Sequence, residues 1–370
     1  MRIGIDARML GPTVGGGGLG RYVEELSREL LQLDHKNRYF LFLKKENLNV
    51  VQAPCEKRLA NIHWYSLREQ LLLPRLIDRE HLDLIHFPHW NVPLFLKTPF
   101  VVTIHDLILL EQPRSAKVTT RNPLIYFVKY HAYKLVLRSA LKRSRGIIAV
   151  SHYTKSAILK YFPWVPSEKI HVVYEGLTNL SSLKPSTPIK SNSPYFLYVG
   201  NAYPHKNLES LLHAFSFFHK IHPTVQLILA GRDDFFYQRL RKELEEIDIS
   251  SGAVQFILNP SDQALADLYR NATLYLFPSR SEGFGLPPLE AMSFGVPVAA
   301  ARATSLPEIL GDAAIYFDPD NIEEMVEVME TALTNIALRT ELTAKGHAQI
   351  KQYSWRTMAK EIQKIYTTCA

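Results

Sequence analysis

Apolar residues fall into two alternating patterns along the chain. Short apolar runs such as 2–6, RYFLFL (38–43), 83–87, FVVTIH (100–105) and GIIAV (146–150) read as buried strands. Runs of the same kind return at 170–173, 195–199, 225–230, 254–257, 273–277, 296–300 and 314–317. Between many of them the apolar spacing widens to three and four; Leu19, Tyr22, Val23, Leu26, Leu30 and Leu33 share one helical face. Apolar strands separated by helices predict an α/β protein whose parallel sheets are covered on both sides. Residues 178–194 break the rhythm, because TNLSSLKPSTPIKSNSP holds five Ser and three Pro and follows neither period, which reads as linker. Two Rossmann-like domains in tandem follow, with ligands expected beyond the carboxyl ends of the strands, in the cleft between the facing domains.

Composition narrows the class. A chain of 370 residues holds about two domains at roughly 100–200 residues each, and 46% hydrophobic content excludes a disordered chain. Cys55 and Cys369 stand far apart, so free thiols in a reducing compartment are expected. The start lacks the layout of a secretory signal, and no apolar stretch approaches the roughly 20 residues that span a bilayer. A cytoplasmic protein, or one peripheral to the inner face of the plasma membrane, is expected.

Charge sharpens this further. Residues 1–185 carry 27 Lys+Arg against 15 Asp+Glu, whereas residues 186–370 carry 16 against 21. The sign changes where the linker falls. Residues 112–167 contain eleven basic residues and no acidic one, interleaved with aromatic and aliphatic side chains. Such a stretch suits an anionic membrane surface or a phosphorylated acceptor, and its composition would also suit nucleic acid. The plain alternative is a solvated helix face.

Chemistry concentrates in PSRSEGFGLPPLEAMSFGVP (278–297), where a strand runs through a glycine-containing loop into a helix with Pro287 and Pro288 in its first turn. Amides from Gly283 to Leu286 are then set at a helix N-terminus, a ready anion site. Glu282 and Glu290 flank it, eight positions apart. Carboxylates are poor partners for an anion but good acceptors for hydroxyl groups, so a ligand joining phosphate to polyols fits; Glu290 alone could instead stabilise the helix dipole.

This loop, carboxylate spacing and Pro-Glu helix resemble the signature of the retaining glycosyltransferases of family 4, and the resemblance extends over essentially the whole chain. It implies the GT-B fold, α/β with two facing Rossmann-like domains and an interdomain cleft. The implied bounds are an acceptor-side domain at 1–180, a linker at 181–194, a nucleotide-sugar domain at 195–352 and a C-terminal helix at 353–370 crossing back to the first domain. The resemblance implies that Glu282 approaches hydroxyls of the transferred sugar, that Glu290 holds the ribose, and that Gly283, Phe284, Gly285 and Leu286 line the sugar and diphosphate. In YFLYVGNAYPHKNLESLLHAF (195–215), Lys206 matches the lysine that holds the diphosphate, while Asn201 stands where many relatives have arginine. A fixed cation there stabilises the leaving group as its charge grows.

In the first domain GGGGLGRY (15–22) follows a strand and opens a helix; the resemblance makes Gly17 and Gly18 donor-phosphate contacts, with Asp6 and Arg8 fixing the loop. His105 matches a histidine that touches the transferred sugar, and His86 and His89 are weaker candidates for the acceptor. Thr304-Ser305 resembles a loop near the nucleotide, and Trp355 a packing anchor. Asp318-Pro319-Asp320 reads as a turn rather than a metal motif. The implied activity is transfer of a hexose to a hydroxyl of a glycan or lipid-linked acceptor, without metal or cofactor and without nucleic acid. The motif variants look most like bacterial mannosyltransferases of surface polysaccharide synthesis, which use GDP-mannose. UDP-glucose or UDP-N-acetylglucosamine is the next donor. A sugar-nucleotide epimerase and a non-catalytic membrane-binding module are the rival classes.

Overall fold

Strands of the first half form one seven-stranded sheet: β1 Arg2–Asp6, β2 Arg38–Leu43, β3 Glu56–Leu59, β4 Leu84–Phe87, β5 Phe100–Ile104, β6 Gly146–Ala149 and β7 Ile170–Val172. Strands of the second half form another of six: β8 Tyr195–Val199, β9 Gln226–Gly231, β10 Val254–Leu258, β11 Leu274–Phe277, β12 Val298–Ala301 and β13 Ala314–Phe317. The structure is a computed structural model, and it describes residues 1–11, 14–15, 17–52, 54–113, 123–178, 180–185 and 193–370.

Every pairing is parallel. The spatial orders are β3-β2-β1-β4-β5-β6-β7 and β10-β9-β8-β11-β12-β13. In each sheet the direction of winding reverses once, between β1 and β4 and between β8 and β11. At such a switch point the loops leaving two neighbouring strands diverge and open a crevice.

Side chains of β4, β5 and β6 are buried throughout, as expected of strands covered on both faces. The apolar pattern misses only β3, whose sequence EKRL alternates between half-buried and exposed. It pairs with β2 alone, and an edge strand needs charge more than apolar burial.

The chain divides into two units. One comprises Met1–Leu107, Lys117–Gly176 and Tyr353–Ala370, the other Ile108–Ala116 and Leu177–Gln352. Ile108–Ala116 thus groups with the second unit, where Glu111 Oε2 accepts a 3.0 Å hydrogen bond from the Ser281 hydroxyl. The C-terminal helix Trp355–Cys369 is part of the first unit: Trp355 is buried with its ring 6.2 Å from that of Tyr22. Of the proposed linker, residues 186–192 lie outside the described residues, as do 114–122 of the basic stretch. No described helix is long and apolar enough to cross a membrane, and Cys55 and Cys369 are both free thiols.

Candidate active site

Most of the chemistry-bearing residues gather at the switch point of the second unit. The loop leaving β8 is pinned by two tyrosines: Tyr237 donates to the Gly200 carbonyl at 2.9 Å and Tyr198 to the Asn201 carbonyl at 2.7 Å. The Asn201 side chain turns into its own loop, its Oδ1 accepting from the Tyr203 amide at 3.4 Å. The loop leaving β11 is fastened to that one. The Arg280 amide donates to the His205 carbonyl at 2.8 Å, and the Ser279 hydroxyl is shared between the carbonyls of His205 and Ser281 at 3.3 Å each.

This zipper brings Lys206 to Glu282. Their ammonium and carboxylate form an ion pair, with 13% and 11% of the side chains exposed. The Lys206 ammonium also stands 5.5 Å from the centre of the Phe277 ring. Glu290, in the helix Leu286–Ser293, accepts from the Tyr269 hydroxyl at 3.1 Å. Both glutamates bear on Tyr275 of β11: burial first, and then the charges of Glu290 and Glu282, push its hydroxyl pKa well above the usual value. Lys206, Glu282 and Glu290 therefore converge around one face of β11, which presents Tyr275 and Phe277.

A third loop shapes the glutamate turn. Thr304 Oγ1 accepts from the Glu282 amide at 3.0 Å, and the Ser305 hydroxyl is shared between the carbonyls of Glu282 at 3.0 Å and Phe284 at 3.1 Å. Thr304 does this at φ 50°, a left-handed conformation that strains a β-branched residue by about 1–3 kcal/mol. Gly285 caps the helix at φ 109°, a conformation essentially reserved for glycine. Gly283 and Phe284 are buried beside it, and Leu286 is half-buried. Thr304-Ser305 is the loop singled out by the resemblance, whereas the supporting roles of Tyr269 and Tyr275 carry no local motif and follow from three loops meeting.

His205 directly precedes Lys206. It is buried, and burial followed by the neighbouring Lys206 charge lowers its pKa to about 3. It is therefore neutral and supplies no second positive charge. Asp318 and Asp320 are consumed in a turn, Asp318 Oδ1 accepting from the Asp320 amide at 2.9 Å and Asp320 pairing with Arg280 at 2.7 Å.

The remaining candidates belong to the first unit. Gly17 and Gly18 are exposed at the start of the helix Gly17–Leu33, Gly17 with φ 43°. Beside that loop Arg8 is buried between Asp6 and Glu69, at 2.7 and 2.6 Å. His105 follows β5 with both ring nitrogens engaged: Nδ1 meets Glu175 Oε1 at 2.8 Å and Nε2 the Pro88 carbonyl at 2.9 Å. A carbonyl only accepts, so Nε2 carries the proton there. Burial disfavours charge on His105, but Glu175 and the Pro88 carbonyl outweigh it and hold the pKa above its ordinary value.

Protonated His105 binds Glu175 more tightly than neutral His105 does, so this pair stabilises the fold fully below about pH 6.5 and its contribution drains away as pH rises through the raised pKa. In Glu175→Gln protein that alkaline-side loss should disappear, read as melting temperature against pH beside the parent. Parallel curves for the two proteins would refute the ion pair.

His86 is a core residue and not an acceptor contact. It is fully buried, its nitrogens are taken by the Tyr366 hydroxyl at 2.6 Å and Thr103 Oγ1 at 2.8 Å, and burial, then His105, lowers its pKa to about 3. His89 is held neutral in the same way and lies 2.9 Å from Asn91 Oδ1. Among the described residues no three His, Cys, Asp or Glu side chains are grouped to hold a metal ion.

Comparison with known proteins bears on the family and the fold. The family model described as Glycosyl transferases group 1 matches residues 181–349, and that described as Glycosyltransferase Family 4 matches residues 16–178. The chain is 30% identical to O-antigen chain mannosyltransferase B of Escherichia coli, over 94% of this chain and 95% of that one. It is 26% identical to O-antigen chain mannosyltransferase RfbU of Salmonella typhimurium, over 82% and 79%. The two-domain GT-B architecture is shared with Anabaena Alr3699/HepE, solved in complex with UDP-glucose, at a TM-score of 0.76, 18% identity and 99% coverage of both chains.

Proposed function

The chain belongs to glycosyltransferase family 4, and we propose that it is a retaining mannosyltransferase that moves mannose from GDP-mannose to a hydroxyl of a glycan or lipid-linked acceptor. The observation that carries the reading is the convergence of Lys206, Glu282 and Glu290 at the β8–β11 switch point. Mannose is supported by the two O-antigen mannosyltransferases to which the chain is similar.

In this reading the bond from the anomeric carbon to the diphosphate oxygen breaks, and the growing charge on that oxygen is met by the Lys206 ammonium and by the helix starting at Leu286. The acceptor hydroxyl attacks from the face the diphosphate leaves, and its proton passes to the departing phosphate. Configuration is thereby retained without a protein nucleophile or a metal. Glu282 takes hydroxyls of the sugar, and Glu290, already oriented by Tyr269, takes the ribose. Gly17 and Gly18 are proposed as phosphate contacts of the first unit, with Asn201 and the Gly283-Phe284-Gly285-Leu286 turn lining the donor. His105 is proposed to touch the transferred sugar, with Glu175 and the Pro88 carbonyl fixing its ring. The protein is proposed to work in the cytoplasm.

Thermal unfolding in the presence of GDP-mannose, UDP-glucose, UDP-N-acetylglucosamine and an ADP-sugar tests the donor. A donor at a hundredfold excess over its Kd stabilises the folded form by about 2.7 kcal/mol. GDP-mannose should raise the melting temperature and the uridine sugars should not; a response confined to a uridine sugar would replace the donor. Anomeric proton couplings of the product report the stereochemistry, and an inverted product would sink the retaining route.

A further inference from the structure

The helix Pro123–Arg143 carries two apolar stripes on opposite sides. Tyr133, Leu137, Ala140 and Leu141 are buried in the first unit. On the other side Phe127, Val128 and Leu135 are 58%, 59% and 58% exposed, and their spacing of one and seven places them on one face, roughly opposite the buried set. A helix that only covers a sheet has no use for the second stripe. Further along the same outer side come Lys134, Arg138 and Lys142, all exposed. With no acidic residue between 112 and 167, no neighbour within the helix neutralises them.

A depression of about 400 Å³ opens beside this stripe, lined by Lys134, Leu135, Arg138, Tyr161, Phe162 and Trp164 among others. The Arg138 guanidinium lies 5.4 Å from the centre of the Trp164 ring, and Trp164 is 39% exposed. Two cations and an amphipathic indole around one hollow suit a phosphate headgroup whose acyl chains continue toward Phe127 and Val128.

We propose that this face docks on an anionic lipid bilayer, with Phe127, Val128 and Leu135 entering the headgroup boundary and Lys134 and Arg138 receiving a lipid phosphate. Charge complementarity selects this occupant. A second copy meeting the face symmetrically would bring like charges together, and nucleic acid would leave the apolar stripe uncovered.

The test is flotation of the full chain with phosphatidylcholine vesicles and with vesicles containing phosphatidylglycerol, at low and high salt. Binding is expected to the anionic vesicles alone and to weaken with salt. A basic residue near an anionic surface contributes a factor of about five, so Lys134→Gln with Arg138→Gln should lower the partition about 25-fold. Phe127→Ser with Val128→Ser should weaken binding while leaving the melting temperature unchanged, because both side chains are exposed. Equal binding to neutral vesicles, a parent-like partition of the charge variant, or a dimer in solution that the serine variant dissociates would each overturn the proposal.

Discussion

Lys206→Ala protein should lose transfer by about 100- to 1,000-fold and also unfold more easily, because the residue has two separate roles. Removing one preorganised group that meets developing negative charge typically costs that factor in rate. Independently, the substitution strands Glu282, which keeps only 11% of its side chain in contact with solvent. Breaking a buried ion pair costs up to about 3–5 kcal/mol, and the residual exposure on both sides places this pair at or below the lower end. A cycle with Glu282→Gln and the combination Lys206→Met with Glu282→Gln separates the roles. The double variant buries no lone charge, so its stability should return close to the parent while its transfer stays lost. Retention of transfer within tenfold of the parent in folded Lys206→Ala protein would reduce the pair to a structural ion pair and remove the basis of the proposed site.

Arg8→Met should cost about 3–5 kcal/mol of stability in chemical denaturation near neutral pH. Arg8 is 1% exposed, donates to Asp6 through Nε and Nη2 at 2.7 Å each, to Glu69 at 2.6 Å, and to the Ile62 carbonyl at 3.2 Å. Methionine fills similar volume but leaves two carboxylates facing each other in a buried site. Burial already pushes the Glu69 carboxyl pKa upward against the pull of Arg8. Acid should relieve the variant, since protonating either carboxylate removes the repulsion, so the deficit relative to the parent should be greatest near neutrality and shrink as pH falls. A deficit below about 1 kcal/mol, or one independent of pH, would show that the triad is not carrying the turn after β1.

The fold was legible where burial is continuous. Strands such as VAAA and LYLF are apolar end to end because both of their faces are covered, and that pattern is local. EKRL at β3 was not legible, because an edge strand has no such requirement. At the site, the glycine-loop-to-helix run and the eight-residue interval between Glu282 and Glu290 were readable because one turn and one helix set them. The pairing of Lys206 with Glu282 was not, since 76 positions separate them and only the fastening of the β8 and β11 loops joins them. His105 was singled out by the resemblance, but the upward pull on its pKa comes from Glu175, 70 positions away. His86 shows the opposite case: it was named with His89 as a candidate for the acceptor, yet Tyr366, 280 positions downstream, makes it a core residue.

Local order is what the amino-acid string settled here: two runs of parallel α/β structure, the loop that carries the glutamates, and the excess of positive charge in the first half. Those properties depend on backbone preference and on apolar periodicity, which act over a few turns of chain. Protonation, ion pairing and strain were decided only by the tertiary structure, because each depends on burial and on a partner contributed by a distant loop. Lys206 and Arg8 have the same formal charge in any unfolded chain; folding places one at the edge of a switch point facing a single carboxylate and seals the other between two.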